Sequence, residues 1–198
     1  GTDASSNSRL RLALSKANAS NVPKDTVKRA IDKASGQNNE NFEEITYEGY
    51  GPKGIAVIVE CLTDNKNRTV SDLRHLLSKH GGSLGTNGSV SHLFRKVGIM
   101  KLNDITEDDL VEHMESIDIE DFEMIDSGCI IFTKPTELFS TKKYFESKSI
   151  NVIEEEIIMD PLTSIDVSKE DSEKISDLSN KIEELDDVQN VYMNSNLA

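Results

Sequence analysis

The chain has 198 residues and a net charge of −14, with 36% hydrophobic, 29% charged and 5% aromatic residues and no Trp. No apolar run approaches the ~20 residues of a membrane-spanning helix, and the two cysteines, Cys61 and Cys129, form no CxxC or Cys/His pattern, which excludes a disulfide framework and a zinc site. The negative charge excludes a protein that coats nucleic acid with its whole surface, and the scarcity of aromatic residues argues against a base-stacking platform.

Two basic helices are predicted near the N-terminus. Apolar residues between positions 8 and 19 fall near helical spacing, with Arg and Lys among them. A second helix begins near Pro23, whose ring pre-sets a helical φ, and ends at Gly36. Because two short helices bury little apolar surface, residues 1–41 are predicted to be an incomplete basic helical domain. The chain also begins without Met, so we expect a missing N-terminal segment that carried any targeting signal.

The next part of the chain predicts a strand, a glycine-rich loop, a buried strand, a helix and another strand. Their ranges are 42–47, 49–54, 55–62, 68–80 and a strand through His92, Phe94 and Val97. A polar linker, 37–41, precedes them.

A new strand is predicted to begin at Ile99, and the segment from there to residue 159 has the order β-α-β-β-α-β. Its elements are predicted at 99–102, 107–117, 122–126, 129–133, 136–147 and 152–158. A strand at 164–167, a helix opened by Ser168 and a strand at 188–193 follow.

These elements predict an α+β fold with a small N-terminal helical domain followed by two ferredoxin-like α/β lobes, one inserted into the other. The β-α-β units at 55–97 and 164–193 are each incomplete, and joining them makes one lobe. We therefore predict a helical domain at 1–41, a middle lobe from 42–97 and 160–198, and an inserted lobe at 98–159.

The charge is distributed unevenly along the chain. Residues 1–102 carry 15 Lys and Arg against 10 Asp and Glu, whereas residues 103–198 carry 7 against 26. A basic half can dock on phosphate while an acidic half limits indiscriminate binding.

Ordered motifs along essentially the whole chain resemble the YebC family, which includes the mitochondrial translational activator of cytochrome c oxidase subunit I. The resemblance implies an N-terminal helical domain, two α/β lobes and a role in regulating transcription or, with ribosomes, translation. Relatives normally begin with a further basic helical stretch, and many carry Gly where this chain has Lys53. The motifs are NSRLRLA (7–13), NVPKD (21–25), RAI (29–31), YEGYGPKG (47–54), VECLTDNKNRT (59–69), RH (74–75), KHGG (79–82), GTNGSV (85–90) and LDDVQNVY (185–192).

Three groups of residues are candidates for binding nucleic acid. Cations of the first two helices would contact phosphates, with a solvated helix face as the alternative. The glycine-rich loop 49–54 could approach a phosphate closely and adds a cation, although a tight turn between strands explains it equally well. A polar and basic cluster at the start and along one face of the helix 68–80 suits base edges and phosphates. The candidates are Arg9, Arg11, Lys24, Lys28 and Arg29; Lys53; and Asn65, Arg68, Arg74, His75 and Lys79.

Other chemistry is less well supported by the sequence. The acidic stretches 104–109, 154–156 and 183–187 are interpreted as solvated surface, with contact to a basic ribosomal protein as a second interpretation. No nucleophile motif, metal-ligand spacing or cofactor loop is present in the sequence, so we expect no enzyme activity, no cofactor and no metal.

The sequence favours a non-enzymatic translation activator that acts on RNA or the ribosome. A DNA-binding transcription regulator is the second hypothesis, although a dimeric base-reading signature is missing. A ferredoxin-like enzyme or small-ligand sensor is the third, and it rests on the fold alone. We expect no membrane span, no small-molecule substrate and no secretion, and a location in the mitochondrial matrix or the bacterial cytoplasm.

Overall fold

The structure is a computed structural model that describes residues 3–4, 6–34 and 42–196. The chain forms two compact units, Gly1–Asn41 and Phe42–Ala198. Six helices and two four-stranded antiparallel sheets confirm the predicted α+β class. Among the described residues, no helix combines the length and the apolar character that crossing a membrane requires.

The first unit contains α1 (Ser8–Ala19) and α2 (Lys24–Ala34), as the sequence predicts. The side chain of Asn7 caps α1 by accepting a hydrogen bond from the backbone N–H of Leu10 at 3.1 Å. Pro23 stands directly before α2, and its carbonyl accepts from the N–H of Thr26 at 2.9 Å. The predicted stop at Gly36 lies outside the described residues.

The first sheet of the second unit has the strand order β3-β1-β2-β9, and its strands are β1 (Glu43–Tyr50), β2 (Ala56–Thr63), β3 (Ser83–Leu84) and β9 (Val188–Met193). The helices α3 (Lys66–Lys79) and α6 (Lys169–Glu183) cover one face. Leu73, Leu77, Leu178 and Ile182 from these helices are at most 1% exposed and pack on the apolar side chains of β2. β2 is buried on both faces, because Ala56 and Ile58, which point away from these helices, pack with Val90 and Phe94.

The second sheet has the order β5-β6-β4-β7 and is built from β4 (Phe94–Asn103), β5 (Asp121–Ile125), β6 (Gly128–Thr133) and β7 (Val152–Pro161). The helices α4 (Glu107–Met114) and α5 (Leu138–Ser147) pack on one face, where Met100, Leu102, Ile131 and Phe145 are fully buried. The chain order β-α-β-β-α-β with this strand order confirms a ferredoxin-like lobe. The first sheet has an equivalent spatial order of strands, but its chain order is β-β-α-β before this lobe and α-β after it.

The strand β4 differs from its prediction because it is one continuous strand, whereas the sequence suggested a break at Gly98. A Cβ atom at Gly98 would lie 2.8 Å from Thr133 Oγ1 and 3.0 Å from Leu138 Cβ. The glycine therefore permits close packing of α5 on the strand and does not end it. The predicted boundary between residues 97 and 98 falls inside β4, and the three-part division stays a prediction.

The strand predicted at 164–167 is also different in the structure. It is reduced to β8 (Ile165–Asp166), which pairs in parallel with β10 (Ser195–Asn196) in a separate two-stranded sheet. The edge position of the first sheet is taken by the short β3, because the chain after α3 pairs with β1 at Gly49 and Tyr50. The other element ends move by one to three residues.

Both cysteines are buried and free, one in each sheet. Burial raises the pKa of Cys61 to about 12, with the charge of Asp187 adding to the effect, and it raises the pKa of Cys129 to about 11. The protonated thiols behave as small apolar core residues.

Candidate nucleic-acid interface

The predicted cations of the first unit lie on both of its helices. Lys24 and Lys28 are exposed and stand four residues apart on α2, so they lie on the same helix face. Arg29 is exposed next to them, and its Nε donates to the carbonyl of Asp25 at 3.2 Å. Arg9 lies within α1, and Arg11 Nη1 donates to the carbonyl of Ala4 at 2.7 Å. The face of α2 is therefore a small cationic surface, while Arg11 holds the segment before α1.

The candidates at the start of α3 are engaged within the protein. Asn65 caps the helix by accepting a hydrogen bond from the N–H of Arg68 at 3.1 Å. Arg68 Nη2 lies 2.7 Å and 3.0 Å from the two carboxylate oxygens of Asp187 and 2.8 Å from Asp64 Oδ1. A phosphate that bound Arg68 through Nε or Nη2 would have to displace Asp187 or Asp64.

Asp187 lies at the centre of this network. It is 9% exposed, and one of its oxygens accepts from Thr69 Oγ1 at 2.7 Å; that hydroxyl in turn lies 2.9 Å from Thr63 Oγ1. Burial opposes ionisation of Asp187, but hydrogen bonds from Arg68 and the threonine hydroxyls outweigh it and lower its pKa. We call Thr63, Asp64, Arg68, Thr69 and Asp187 the clasp, because it ties the β2–α3 junction to the segment before β9.

The other half of α3 presents its cations to solvent. Arg74, His75 and Lys79 are all exposed. His75 and Lys79 are four residues apart and share a face, with Arg74 adjacent. Neither Arg74 nor Lys79 forms an ion pair with any residue that the structure describes. Arg74 and Lys79 supply the positive charge, and the polar ring of His75 lies beside them; we call these three residues the α3 cationic row.

His80, which ends α3, is turned away from this row. Its Nδ1 lies 2.8 Å from the carbonyl of Leu76, and its Nε2 lies 3.2 Å from Asp177 Oδ2 on α6. Its side chain is only 12% exposed. His80 therefore belongs to the contact between α3 and α6.

The glycine-rich loop forms a tight turn between β1 and β2. The N–H of Gly51 donates to the carbonyl of Ile55 at 2.7 Å, and Lys53 has a φ of 60°, in the left-handed region. Glycine adopts that conformation without strain, whereas a lysine adopts it at some cost in backbone energy. The Lys53 side chain is 62% exposed, and its Nζ lies 3.5 Å from Asp171 Oδ2. The tight-turn alternative describes this loop well, with one exposed cation at its tip.

A second glycine segment packs on the first. A Cβ atom at Gly82 would lie 2.1 Å from the carbonyl oxygen of Tyr50, so only glycine fits there. The hydroxyl of Tyr50 donates to the carbonyl of Ser89 at 3.0 Å, and the N–H of Gly85 donates to the carbonyl of Glu48 at 2.8 Å. The motifs at 47–54 and 79–90 are thus two parts of one packed loop pair.

Sequence reasoning missed Glu48, whose carboxylate holds this loop pair. The side chain is 4% exposed and accepts from the N–H groups of Gly88, Val90 and Ser91 at 2.7 to 2.8 Å. Burial opposes its ionisation, but the three backbone donors outweigh burial and lower the pKa of Glu48. Only its position opposite the buried Ile58 could have indicated that Glu48 is buried, and that position is known only once the strand register is known.

The described residues contain no group of three or more His, Cys, Asp or Glu side chains that could hold a metal ion. Arg74, His75 and Lys79 lie in the later part of α3, Arg68 of the clasp lies in its first turn, and Lys53 lies in the turn between β1 and β2. The α2 cations belong to the other compact unit.

Two family descriptions match the chain almost end to end. The TACO1/YebC protein N-terminal domain matches residues 1–37, and the TACO1/YebC second and third domain matches residues 42–195. The chain belongs to the YebC family. This confirms the resemblance that the sequence motifs indicated, and the clasp and the loop pair are what most of those YebC motifs build.

Individual relatives agree with this assignment. A protein named probable transcriptional regulatory protein from Thermoanaerobacter pseudethanolicus is 46% identical over 198 residues, covering 98% of this chain and 80% of the relative. A protein of the same name from Idiomarina loihiensis is 41% identical over 201 residues, covering 100% and 81%. The crystal structure of a conserved hypothetical protein from Aquifex aeolicus has a TM-score of 0.86 at 38% identity and covers all of this chain and 83% of that one.

Proposed function

We propose that this YebC-family chain is a non-enzymatic regulator of gene expression that acts on RNA or the ribosome as a translation activator. The exposure of the α3 cationic row carries the proposal. Residues 42–198 hold 15 Lys and Arg against 32 Asp and Glu, and many of the described cations lie beside carboxylates. A cationic group that stays open on such an acidic unit is the surface best suited to phosphate.

The α2 surface gives further support. Lys24 and Lys28 provide two phosphate contacts from one helix face, and contacts of this kind are blind to base sequence. Small groups of cations bind a lone oligonucleotide weakly, because each phosphate contact adds little. A ribosome presents many fixed phosphates at once, which favours it as the partner in the bacterial cytoplasm or the mitochondrial matrix.

A DNA-binding transcription regulator is the second candidate. Four residues, 20–23, join α1 to α2, which is within the range of DNA-binding helix-turn-helix units. The relatives' name, probable transcriptional regulatory protein, points the same way. On this alternative the base-reading residues would come from α2, and duplex DNA of one sequence would bind more tightly than RNA.

The test measures binding of fluorescent single-stranded RNA and duplex DNA at several salt concentrations. We expect Lys24→Ala/Lys28→Ala and Arg74→Ala/Lys79→Ala each to reduce the slope of log K against log salt for RNA by roughly 1.4, about 0.7 per lost phosphate contact. The control Lys134→Ala/Lys169→Ala removes the same charge from other exposed positions and should leave the slope unchanged. Equal reductions in all three variants would contradict the proposal.

Ribosome association is tested by co-sedimentation from cell extract. We expect the wild type to sediment with ribosomes at low salt and to be released as salt rises, and Arg74→Ala/Lys79→Ala to be released at a lower concentration. Wild-type protein that remains in the free fraction at every salt concentration would overturn the ribosome proposal. Preference for one duplex DNA sequence over RNA at physiological salt would favour the transcription alternative.

A further inference from the structure

The second sheet has one face that none of the helices of residues 42–196 covers. α4 and α5 pack on the face where Met100 and Leu102 point, and α3 and α6 pack on the first sheet. Side chains alternate along a strand, so Ile99 and Lys101 point to the opposite face. None of the residues proposed to bind nucleic acid lies on this opposite face.

The strand register places acidic residues at both sides of this face. Residues that pair across neighbouring strands lie in one line on the same face. Two such lines cross the sheet, and each begins with a carboxylate on β5 and ends with a carboxylate on β7. Between these ends the inner strands β6 and β4 supply three apolar residues and one lysine. From β5 to β7 the lines are Asp121, Phe132, Ile99, Glu156 and Glu123, Ile130, Lys101, Glu154. We call these eight residues the acid-rimmed face.

The exposure of these residues suits a docking surface. Asp121, Glu123 and Glu154 are exposed, and the four inner residues are half-buried. Arg95, on the same side of β4, lies 5.9 Å from the ring centroid of Phe132, but its Nε is bound to Asp160 Oδ2 at 2.8 Å. The face therefore combines an accessible apolar centre with an excess of negative charge.

The rim continues into a groove beside β7. Glu156 lines a cavity of about 420 Å³ together with Glu183 and the β9 residues 188–192. β9 is an edge strand, and no described strand pairs with its outer side. The groove thus brings together Glu156 and Glu183, which belong to acidic stretches far apart in sequence. An open strand edge can accept an extended polypeptide by backbone hydrogen bonding.

We propose that the acid-rimmed face binds a lysine- and arginine-rich segment of a partner protein that carries apolar side chains between its cations. Strands spaced about 4.8 Å apart put the two rims about 15 Å from each other, a span that about five extended residues cover. Basic residues about five positions apart would meet both rims while apolar ones cover Phe132, Ile99 and Ile130. Phosphate is repelled by the same carboxylates, so nucleic acid is not the occupant.

The test uses a fluorescein-labelled peptide of sequence Arg-Arg-Leu-Val-Leu-Arg-Arg and the full chain. We expect saturable binding that weakens about fivefold in Glu123→Gln/Glu154→Gln, because this double variant removes one carboxylate charge from each rim. The matched control Glu107→Gln/Glu112→Gln removes two exposed charges from α4, on the other face of the same sheet, and should bind like the wild type. A peptide with Gly-Ser-Gly at its centre should bind more weakly than the original.

Backbone amide shifts on adding the peptide should concentrate in β4, β5, β6 and β7. The proposal is overturned if no saturable binding occurs or if both double variants weaken binding equally. It is overturned as well if the shifts spread to the helices with acidic first turns, α4 and α6. It is also overturned if single-stranded RNA, added without the peptide, shifts the same backbone amides of β4, β5, β6 and β7. Arg74→Ala/Lys79→Ala should leave peptide affinity unchanged, so this site can fail or succeed independently of the proposed function.

Discussion

The two ends of α3 carry the same kinds of residue and use them differently. Arg68, in the first turn, is paired with Asp187 and Asp64, whereas Arg74 and Lys79, farther along, form no ion pair with any residue that the structure describes. The difference comes from a carboxylate that the fold brings from 119 positions away in the chain. An arginine in a family motif therefore indicates either a structural ion pair or a binding surface, and only its surroundings distinguish the two.

The clasp should have the largest effect on stability. We expect Asp187→Ala to lower the free energy of unfolding by about 2 kcal/mol, because it leaves the Thr69 hydroxyl and the Arg68 guanidinium without their buried acceptor. Urea denaturation monitored by circular dichroism measures the change. Asp186→Ala is the control, since Asp186 is the exposed neighbour, and should stay within about 0.5 kcal/mol of the wild type. Equal losses for both variants would mean that the clasp is not a stabilising network.

The loop pair should show a smaller effect that depends on pH. We expect Glu48→Gln to cost about 1 kcal/mol at pH 7, because a neutral amide accepts the three backbone hydrogen bonds less strongly. The folded-state pKa of Glu48 is lowered, so the unfolded chain takes up the proton first as pH falls. The stabilisation is complete above the unfolded pKa of about 4.3 and is lost as pH falls through the folded-state pKa.

The stability difference between wild type and Glu48→Gln should therefore shrink as the pH is lowered from 7 to about 3. Urea denaturation at four pH values in this range measures it, with Glu112→Gln, an exposed change on α4, as the control. A difference that stays constant or grows on acidification would show that Glu48 is not ionised in the fold, and the loop pair would then need another explanation.

Most of the fold was predictable because hydrophobic periodicity and turn residues reveal it locally. The β-α-β-β-α-β order of the inserted lobe was predicted from that pattern. For the other lobe two predicted strands were wrong, because the strand through Val97 belongs to β4 of the second sheet and the strand at 164–167 to the two-stranded sheet, while β3 takes the edge of the first sheet. The continuity of β4 was not predicted, because Gly98 is read as a break unless the Cβ clash with Thr133 and Leu138 is known. The short pairing of Ile165 and Asp166 with β10 likewise depends on tertiary contacts.

The candidate site was less predictable than the fold. Residue type identified Arg74, His75 and Lys79 as members of a polar cluster, and helical spacing placed His75 and Lys79 together. Residue type also selected Asn65, which caps the helix locally, and Arg68, whose partner Asp187 comes from the far end of the chain. Glu48 was missed for the same reason. The roles of Arg74, His75 and Lys79 in binding remain predictions, which variants at the two ends of α3 can test directly.

The smallest expected effect compares those two ends residue by residue. Arg74→Ala should lower the salt slope of single-stranded RNA binding by about 0.7, while Arg68→Ala should leave the slope unchanged and lower the urea midpoint instead. Both variants remove one cation from the same helix, so net charge cannot explain a difference between them. A slope reduced equally by both would mean that Arg68 contacts RNA although Asp187 and Asp64 hold its Nε and Nη2, and the proposed difference between the two ends of α3 would then be wrong.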